Sequence, residues 1–339
     1  MSTNRQVRLR RRPEGMPVDD DFELTTAARP EPGPGQVVVK NLYLSIDPTI
    51  RGWIDRDTYL PAVKPGEVVR SAGVGEVVAS NHDRHRVGDR VFGLVGWQDF
   101  ALLDGKAQLN PIPPGIDPRD ALGVFGVTGL TAYFGLTDIG KPVAGETVVV
   151  SGAAGATGSI VGQLAKVLGC RAVGIAGGAT KCRYLTEELG LDAAIDYKSE
   201  DVAARLRATC PDGIHVFFDN VGGPILDAAL AHLAMRARVV VCGAISQYND
   251  LSAAYGPKNY VNLIARRARM EGFLVLDYAD RFVEGVMRLA PLVAQGKLKH
   301  RSTVVDGLAQ APAALRRLFT GDHEGKLLVK VDHPAAAAA

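Results

Sequence analysis

The run Thr147-Val148-Val149-Val150-Ser151-Gly152-Ala153-Ala154-Gly155-Ala156-Thr157-Gly158-Ser159 passes from a β-branched apolar stretch, through a glycine-rich turn, into the helix-period segment Ile160 to Leu168. A strand, glycine turn and helix in that order lets the backbone approach a pyrophosphate and aims the unpaired N–H groups of a helix N-terminus at it. Ala153 stands at the first glycine position, so the spacing reads A-x-G-x-x-G. A Gly/Ala-rich packing turn without a ligand is the competing reading. A second apolar run, Ala172 to Ala176, arrives where a βαβ unit needs its next strand. It leads into Gly177-Gly178-Ala179-Thr180-Lys181, with no acid before Glu187. An NAD site commonly places Asp or Glu there for the adenosine ribose, whereas an NADP site carries cations and small residues. NADP is therefore favoured, with Lys181 and Arg183 as candidate partners of the 2′-phosphate. For both, a solvated helix face is the alternative.

Metal chemistry lacks its ligands. The cysteines are Cys170, Cys182, Cys210 and Cys242, none in a C-x-x-C pair, and residues 1–169 contain none. Buried free thiols are expected. His82 and His85, beside Asp83, Arg84 and Arg86, read as a solvated loop. No zinc is expected, so a hydride-transfer site would polarise its substrate with a Tyr or Ser hydroxyl or the nicotinamide ribose. No G-x-S-x-G elbow supports hydrolase chemistry.

The elements that would position these groups fall into two textures. Residues 33 to 110 read as short strands between Gly and Pro turns: Gln36 to Lys40, Gly73 to Ala79, Arg90 to Leu94 and Asp99 to Leu103. From Pro118, helix-period stretches alternate with apolar runs at 148–150, 172–177, 193–195, 216–218 and 239–242, the pattern of a doubly wound parallel sheet. The final helix-like Ala311 to Phe319 and strand Lys326 to Val331 are expected to return to the first domain, because a terminal strand needs an edge to pair with. The expected domains are 1–122 with 304–339, and 123–303.

At 339 residues, with 47% hydrophobic and 22% charged residues, the chain has ordinary globular composition and length for two domains. A formal charge of +2 argues against nucleic acid as a main partner. The basic run Arg8, Arg10, Arg11 and Arg12 reads as a solvated terminal arm. With no signal peptide and no apolar run long enough to span a bilayer, no membrane association and a cytoplasmic location are expected.

Together YLSIDPTIRG at 43–52, GLTAYFGL at 129–136, GAAGATGS at 152–159, FFDNVGG at 217–223, VCGAISQYN at 241–249 and RMEGFLV at 269–275 resemble the zinc-free medium-chain dehydrogenase/reductase superfamily. The resemblance is to its branch of prostaglandin reductases, leukotriene B4 12-hydroxydehydrogenases, plant double-bond reductases and bacterial curcumin reductases. It implies a Rossmann sheet beside a mainly β GroES-like catalytic domain, and NADPH-dependent reduction of the carbon–carbon double bond of α,β-unsaturated ketones or aldehydes. Tyr248 matches the tyrosine that holds the nicotinamide ribose and stabilises the enolate; a loop tyrosine packed beside the cofactor is the plainer alternative. Gly155, Ala156, Thr157 and Gly158 look like the pyrophosphate turn, and Lys181 and Tyr197 like the 2′-phosphate contacts. Asn220 and Cys242, Gly243, Ala244, Ile245 and Ser246 are expected along the nicotinamide half. Phe273, Leu274 and Val275 match a strand whose backbone holds the carboxamide, although core packing explains their types equally well.

Two departures stand out. The family's D-P-Y-M-R is Asp47-Pro48-Thr49-Ile50-Arg51 here, and its G-D-N-x-G-K is Gly321-Asp322-His323-Glu324-Gly325-Lys326. His323 is expected near the cofactor, with a solvated loop as the alternative. Substrate walls are expected from residues 43–60, 94–98 and 250–262, where Trp53, Tyr59, Trp97, Tyr255 and Tyr260 offer aromatic surface, with a core or interface position as an equal alternative for each. The alternatives weighed are a zinc-free quinone oxidoreductase and an NADPH-binding module without turnover. A homodimer is the expected assembly, with Val239 to Ile245 or the following segment as a sheet edge.

Overall fold

The computed structural model describes residues 3–104, 109–252 and 254–333. The chain forms two compact units, Met1–Leu122 with Ser302–Ala339, and Gly123–Arg301.

The first unit opens with β1 (Thr3–Leu9) paired antiparallel to β2 (Phe22–Ala28). Val7 and Leu9 of β1 are buried, so Arg8 lies within a paired strand rather than a solvated arm, whereas Arg10, Arg11 and Arg12 just beyond it are exposed as expected. Pairing with β2 was hidden because the basic run masks the apolar residues that alternate with it. There follow β3 (Gln36–Ser45), β4 (Ala72–Ser80), β5 (Arg90–Leu94), β6 (Phe100–Asp104) and β7 (Asn110–Pro111).

The second unit holds β8 (Thr147–Ser151), β9 (Arg171–Ala176), β10 (Ala193–Asp196), β11 (Ile214–Asp219), β12 (Leu233–Val241) and β13 (Arg269–Gly272). They form one parallel sheet in the order β10-β9-β8-β11-β12-β13. This is a Rossmann-type doubly wound sheet, and its order reverses beside β8, where such sheets bind ligands at their carboxyl ends. All of β8 is buried. Val148 and Val150 pack with Ile160 and Leu164 on one side, and Val149 with Val173 and Phe217 on the other. Cover on both faces explains why these strands read as unbroken apolar runs. Each large aliphatic side chain so enclosed contributes about 1.5–3 kcal/mol.

The chain then returns as β14 (Ser302–Asp306) and β15 (Lys326–Lys330), completing the sheet order β14-β15-β3-β4-β5-β7, with β6 also on β3. β15 runs antiparallel to β3, with Leu328 opposite Ser45.

Two expectations need correction. β13 ends at Gly272, so Phe273, Leu274 and Val275 are not a strand; they lie just past it, and Val275 opens a 3-10 turn through Arg281. β12 is flanked by β11 and β13, so Val239 to Val241 is interior, and of the two options for a sheet edge it is the following segment that holds one, β13, with β10 at the opposite edge.

Candidate active site

The glycine turn is built by close packing of backbone on backbone. Gly152 takes φ +59°, in the left-handed region that favours glycine. A methyl group on Gly158 would lie 2.4 Å from the Gly152 carbonyl oxygen and 2.8 Å from Ala153 Cα. The alanine at the first glycine position has its own compensation. A methyl on Gly174 of β9 would lie 2.9 Å from Ala153 Cβ, so the side chain gained in the turn is matched by one absent from the neighbouring strand.

The helix Ala156–Val167 starts from Gly155 with no side-chain cap. Ser159 N–H reaches the Gly155 carbonyl at 3.0 Å, which leaves the amides of Ala156, Thr157 and Gly158 without an intrahelical acceptor. Three amides and the positive end of a helix suit a pyrophosphate.

At the end of β9, a methyl on Gly177 would come within 2.9 Å of the Tyr197 ring and hydroxyl. Tyr197 thus lies against the turn that leads to Lys181, itself half-buried on the short helix Ala179–Arg183. Arg183 is exposed and reaches Thr180 Oγ1 at 3.5 Å. A carboxylate does arrive at this strand end, from β10. Asp196 accepts the N–H groups of Gly178 at 2.7 Å and Lys198 at 3.0 Å. Those amides hold its carboxyl below the usual range. Asp196 is therefore committed to the turn.

The ends of β8, β11 and β12 are tied by a buried polar knot. Ser151 Oγ donates to Asp219 Oδ1 at 2.7 Å and accepts from Asn220 N–H at 2.8 Å. Asn220 Nδ2 donates to the Ser151 carbonyl at 2.7 Å. Asp219 also accepts from the amides of Val221 and Gly222, each at 3.1 Å, and its carbonyl takes Cys242 N–H at 2.9 Å and Gly243 N–H at 3.1 Å. Burial pushes the Asp219 carboxyl above its ordinary range despite these donors.

The loop after β12 is laced to the same knot. Ile245 N–H donates to the Asn220 carbonyl at 3.3 Å, and Ser246 Oγ to the Val221 carbonyl at 2.6 Å. Tyr248 hydroxyl accepts Ala244 N–H at 3.1 Å. Cys242 is half-buried as a residue, yet burial of its thiol, with Asp219 adding repulsion, pushes it up to about 12. Burial raises the other cysteines too, so the thiols stay protonated at neutral pH.

The Phe273 ring packs edge-on to Phe218 with centroids 6.5 Å apart. A methyl on Gly135 would lie 2.5 Å from its Cζ. Tyr255 hydroxyl is bonded to Asp227 at 3.0 Å, while Tyr260 is exposed.

The first unit holds the remaining candidates. Lys326 Nζ, almost fully buried, donates to the Ile46 carbonyl at 2.9 Å and to Asp47 Oδ1 at 2.8 Å, fixing the start of the 47–60 segment to β15. Thr49 Oγ1 is 2.8 Å from Tyr59 hydroxyl, and Tyr59 meets the Trp53 ring edge-on at 6.0 Å. Trp97 is wholly buried beside Phe22, so it is a core residue and not a wall. His323 Nδ1 lies 3.2 Å from the Arg317 carbonyl. His85 is largely buried with its ring 4.9 Å from that of His82, which differs from the solvated loop expected there.

The second unit thus sets Gly155 to Gly158, Lys181, Tyr197, Asn220, Cys242 to Tyr248 and Phe273 to Val275 at or beyond the carboxyl ends of one parallel sheet, whereas His323 belongs to the other unit. Ser151, Asp219 and Asp196 were missed. Their signal is a polar residue closing an apolar run at each strand end.

Residues 5–112 match the family model described as the N-terminal domain of oxidoreductase, and residues 156–290 that described as zinc-binding dehydrogenase. The NADPH-dependent curcumin reductase of Escherichia coli is 41% identical over 336 residues, covering 97% of this chain and 97% of its own. The NADP(+)-dependent 2-alkenal reductase of Nicotiana tabacum is 40% identical, covering 97% and 98%. The chain belongs to the zinc-free branch of the medium-chain dehydrogenase/reductase superfamily. CurA of Vibrio vulnificus, solved in complex with NADPH, superposes on this superfamily member with a TM-score of 0.92 at 41% identity, covering 97% of this chain and 100% of that one. Although one family description names zinc, no group of three or more His, Cys, Asp or Glu among the described residues is placed to hold a metal ion. No helix among them is long and apolar enough to cross a membrane.

Proposed function

We propose that this chain is an NADPH-dependent reductase of carbon–carbon double bonds conjugated to a ketone or aldehyde, working without a metal. The observation that carries the reading is the Tyr248 hydroxyl, held by Ala244 N–H on a loop knotted through Asn220 and Asp219 to the same strand ends as the glycine turn. The relatives named as curcumin and 2-alkenal reductases support the substrate class.

NADPH supplies a hydride to the β-carbon of the acceptor. The amides of Ala156, Thr157 and Gly158 bind the pyrophosphate, which cancels part of its charge at the helix end. Lys181 and the Tyr197 hydroxyl take the 2′-phosphate, Lys181 as a point charge. Asn220 and the Cys242 to Ser246 loop line the nicotinamide half, and Phe273 to Val275 offer backbone groups to the carboxamide. Tyr248 donates its hydrogen bond where negative charge grows on the acceptor oxygen, so its stabilisation is larger in the transition state than in the ground state. A proton then reaches the α-carbon through the enol. The 47–60 segment, anchored by Lys326 and Asp47, offers Thr49 and Tyr59 as substrate contacts.

Two copies are expected to associate. Arg269, Met270 and Glu271 of β13 are exposed at a sheet edge, and antiparallel pairing about Met270 sets Arg269 of one copy against Glu271 of the other. Light scattering at micromolar concentration checks this.

The activity test follows NADPH absorbance across enones, enals and quinones, with NADH in parallel. Turnover of enones or enals with NADPH preferred is the expected result. Turnover of quinones alone would instead make the chain a quinone oxidoreductase, and cofactor binding without any turnover a binding module.

A further inference from the structure

Asp219 is a buried carboxylate, 1% exposed, at the end of β11. Its donors are one hydroxyl and two backbone amides, from Ser151, Val221 and Gly222. Among the described residues it makes no ion pair, and Cys242, the ionisable neighbour that feels its charge, stays a neutral thiol. A buried anion without a counter-cation is costly.

The turn alone does not require that charge. Oδ1 accepts from Ser151 Oγ, Val221 N–H and Gly222 N–H, whereas Oδ2 adds a single contact, 3.1 Å from the same Gly222 amide. An asparagine could keep the Oδ1 bonds, so the hydrogen bonds of the turn do not by themselves account for a carboxylate at this position. The knot that Asp219 ties carries Asn220 and the Cys242 to Tyr248 loop, the segments assigned above to the nicotinamide half.

We propose that the Asp219 carboxylate is an electrostatic determinant of the bound cofactor's redox state, favouring the cationic nicotinamide of NADP+ over the neutral ring of NADPH. This rests on the cofactor reading above. When the hydride leaves with both electrons, the C4–H bond breaks, a C–H bond forms at the acceptor's β-carbon, and the ring gains one positive charge. Asp219 neither gives nor takes a proton. Its fixed charge lowers the energy of the oxidised side and makes bound NADPH a stronger donor.

The test is the ratio of two dissociation constants, NADP+ over NADPH, on the intact protein. NADPH is titrated by its fluorescence and NADP+ by displacement. Asp219→Asn is expected to weaken NADP+ relative to NADPH by about 5- to 20-fold, the order of effect of one poorly screened unit charge. Loss of both affinities in equal measure, or an unchanged ratio, would show a structural role only and overturn the proposal. Should Asp219→Asn not fold, Asn220→Asp adds a carboxylate one residue along and must move the ratio several-fold toward NADP+; an unmoved ratio there overturns the proposal as well. Failure of the wild-type protein to bind either form would refute the NADP(H) reading itself, whereas intact binding with a fixed ratio refutes only the role of the charge.

Discussion

Ser151 at the end of β8 and Asp219 at the end of β11 are 68 residues apart in sequence, and their side chains meet at 2.7 Å in the interior. Because Ser151 also accepts Asn220 N–H, the bond orders the backbone just beyond both strands. Ser151→Ala leaves Asp219 and Asn220 N–H each short of a partner. A loss of about 1–3 kcal/mol is expected, read as a fall in the urea midpoint at constant m-value.

Tyr248→Phe keeps the ring and removes the oxygen that Ala244 N–H reaches. If the hydroxyl stabilises developing enolate charge, kcat should fall by about 10²- to 10³-fold while NADPH affinity changes little. A stopped-flow single-turnover rate, set beside a cofactor titration, separates the two effects. An undiminished hydride-transfer rate would remove Tyr248 from the chemistry.

Gly158→Ala introduces a methyl 2.4 Å from the Gly152 carbonyl oxygen, and backbone rather than a flexible side chain has to move. The turn should distort, with at least tenfold weaker NADPH binding and about 1–3 kcal/mol lost. The pair Ala153→Gly and Gly174→Ala should couple in a double-mutant cycle, since their methyl groups would occupy neighbouring space.

How much of this was open to a reader of the sequence depends on how local the cause is. The β8 strand, its turn and the helix after it were legible because a wholly buried strand leaves an apolar run, and a close backbone approach leaves glycines. The acid near the ribose end was not. Asp196 lies far along the chain from Gly178 yet accepts that residue's N–H, and only strand pairing brings the two together. β13, with the sequence Arg-Met-Glu-Gly, is short and exposed at an edge, so it carries no alternation to reveal it. The first strand was masked by arginines that pair along it. In each case the missing information is a non-local contact.

Lys181→Ala should weaken NADPH at least tenfold and leave NADH nearly unchanged, because the cofactors differ in the 2′-phosphate alone. Equal losses for both would instead indicate that the Ala179–Arg183 turn had shifted. Isothermal titration with each cofactor distinguishes these.

Acid stability should depend on Glu146. Burial pushes its carboxyl up, but the Arg238 guanidinium at 2.9 Å and Val143 N–H outweigh it and hold it below its ordinary 4.5. A carboxylate depressed on folding stabilises the protein above its unfolded value, and that contribution is lost as pH falls through the folded value. Arg238→Gln should therefore cost about 1–3 kcal/mol at pH 7, and the gap from wild type should narrow as pH drops below about 4.5. Urea midpoints measured from pH 7 to pH 3 check the sign.

The most direct test of the central claim is the position of the transferred hydrogen. With NADPH deuterated at C4 on both faces and an aryl or alkyl enone as acceptor, the product should be a saturated ketone carrying deuterium at the β-carbon and a solvent hydrogen at the α-carbon, seen by NMR. Deuterium on the carbinol carbon of an allylic alcohol, or no deuterated product from any enone or enal, would contradict it.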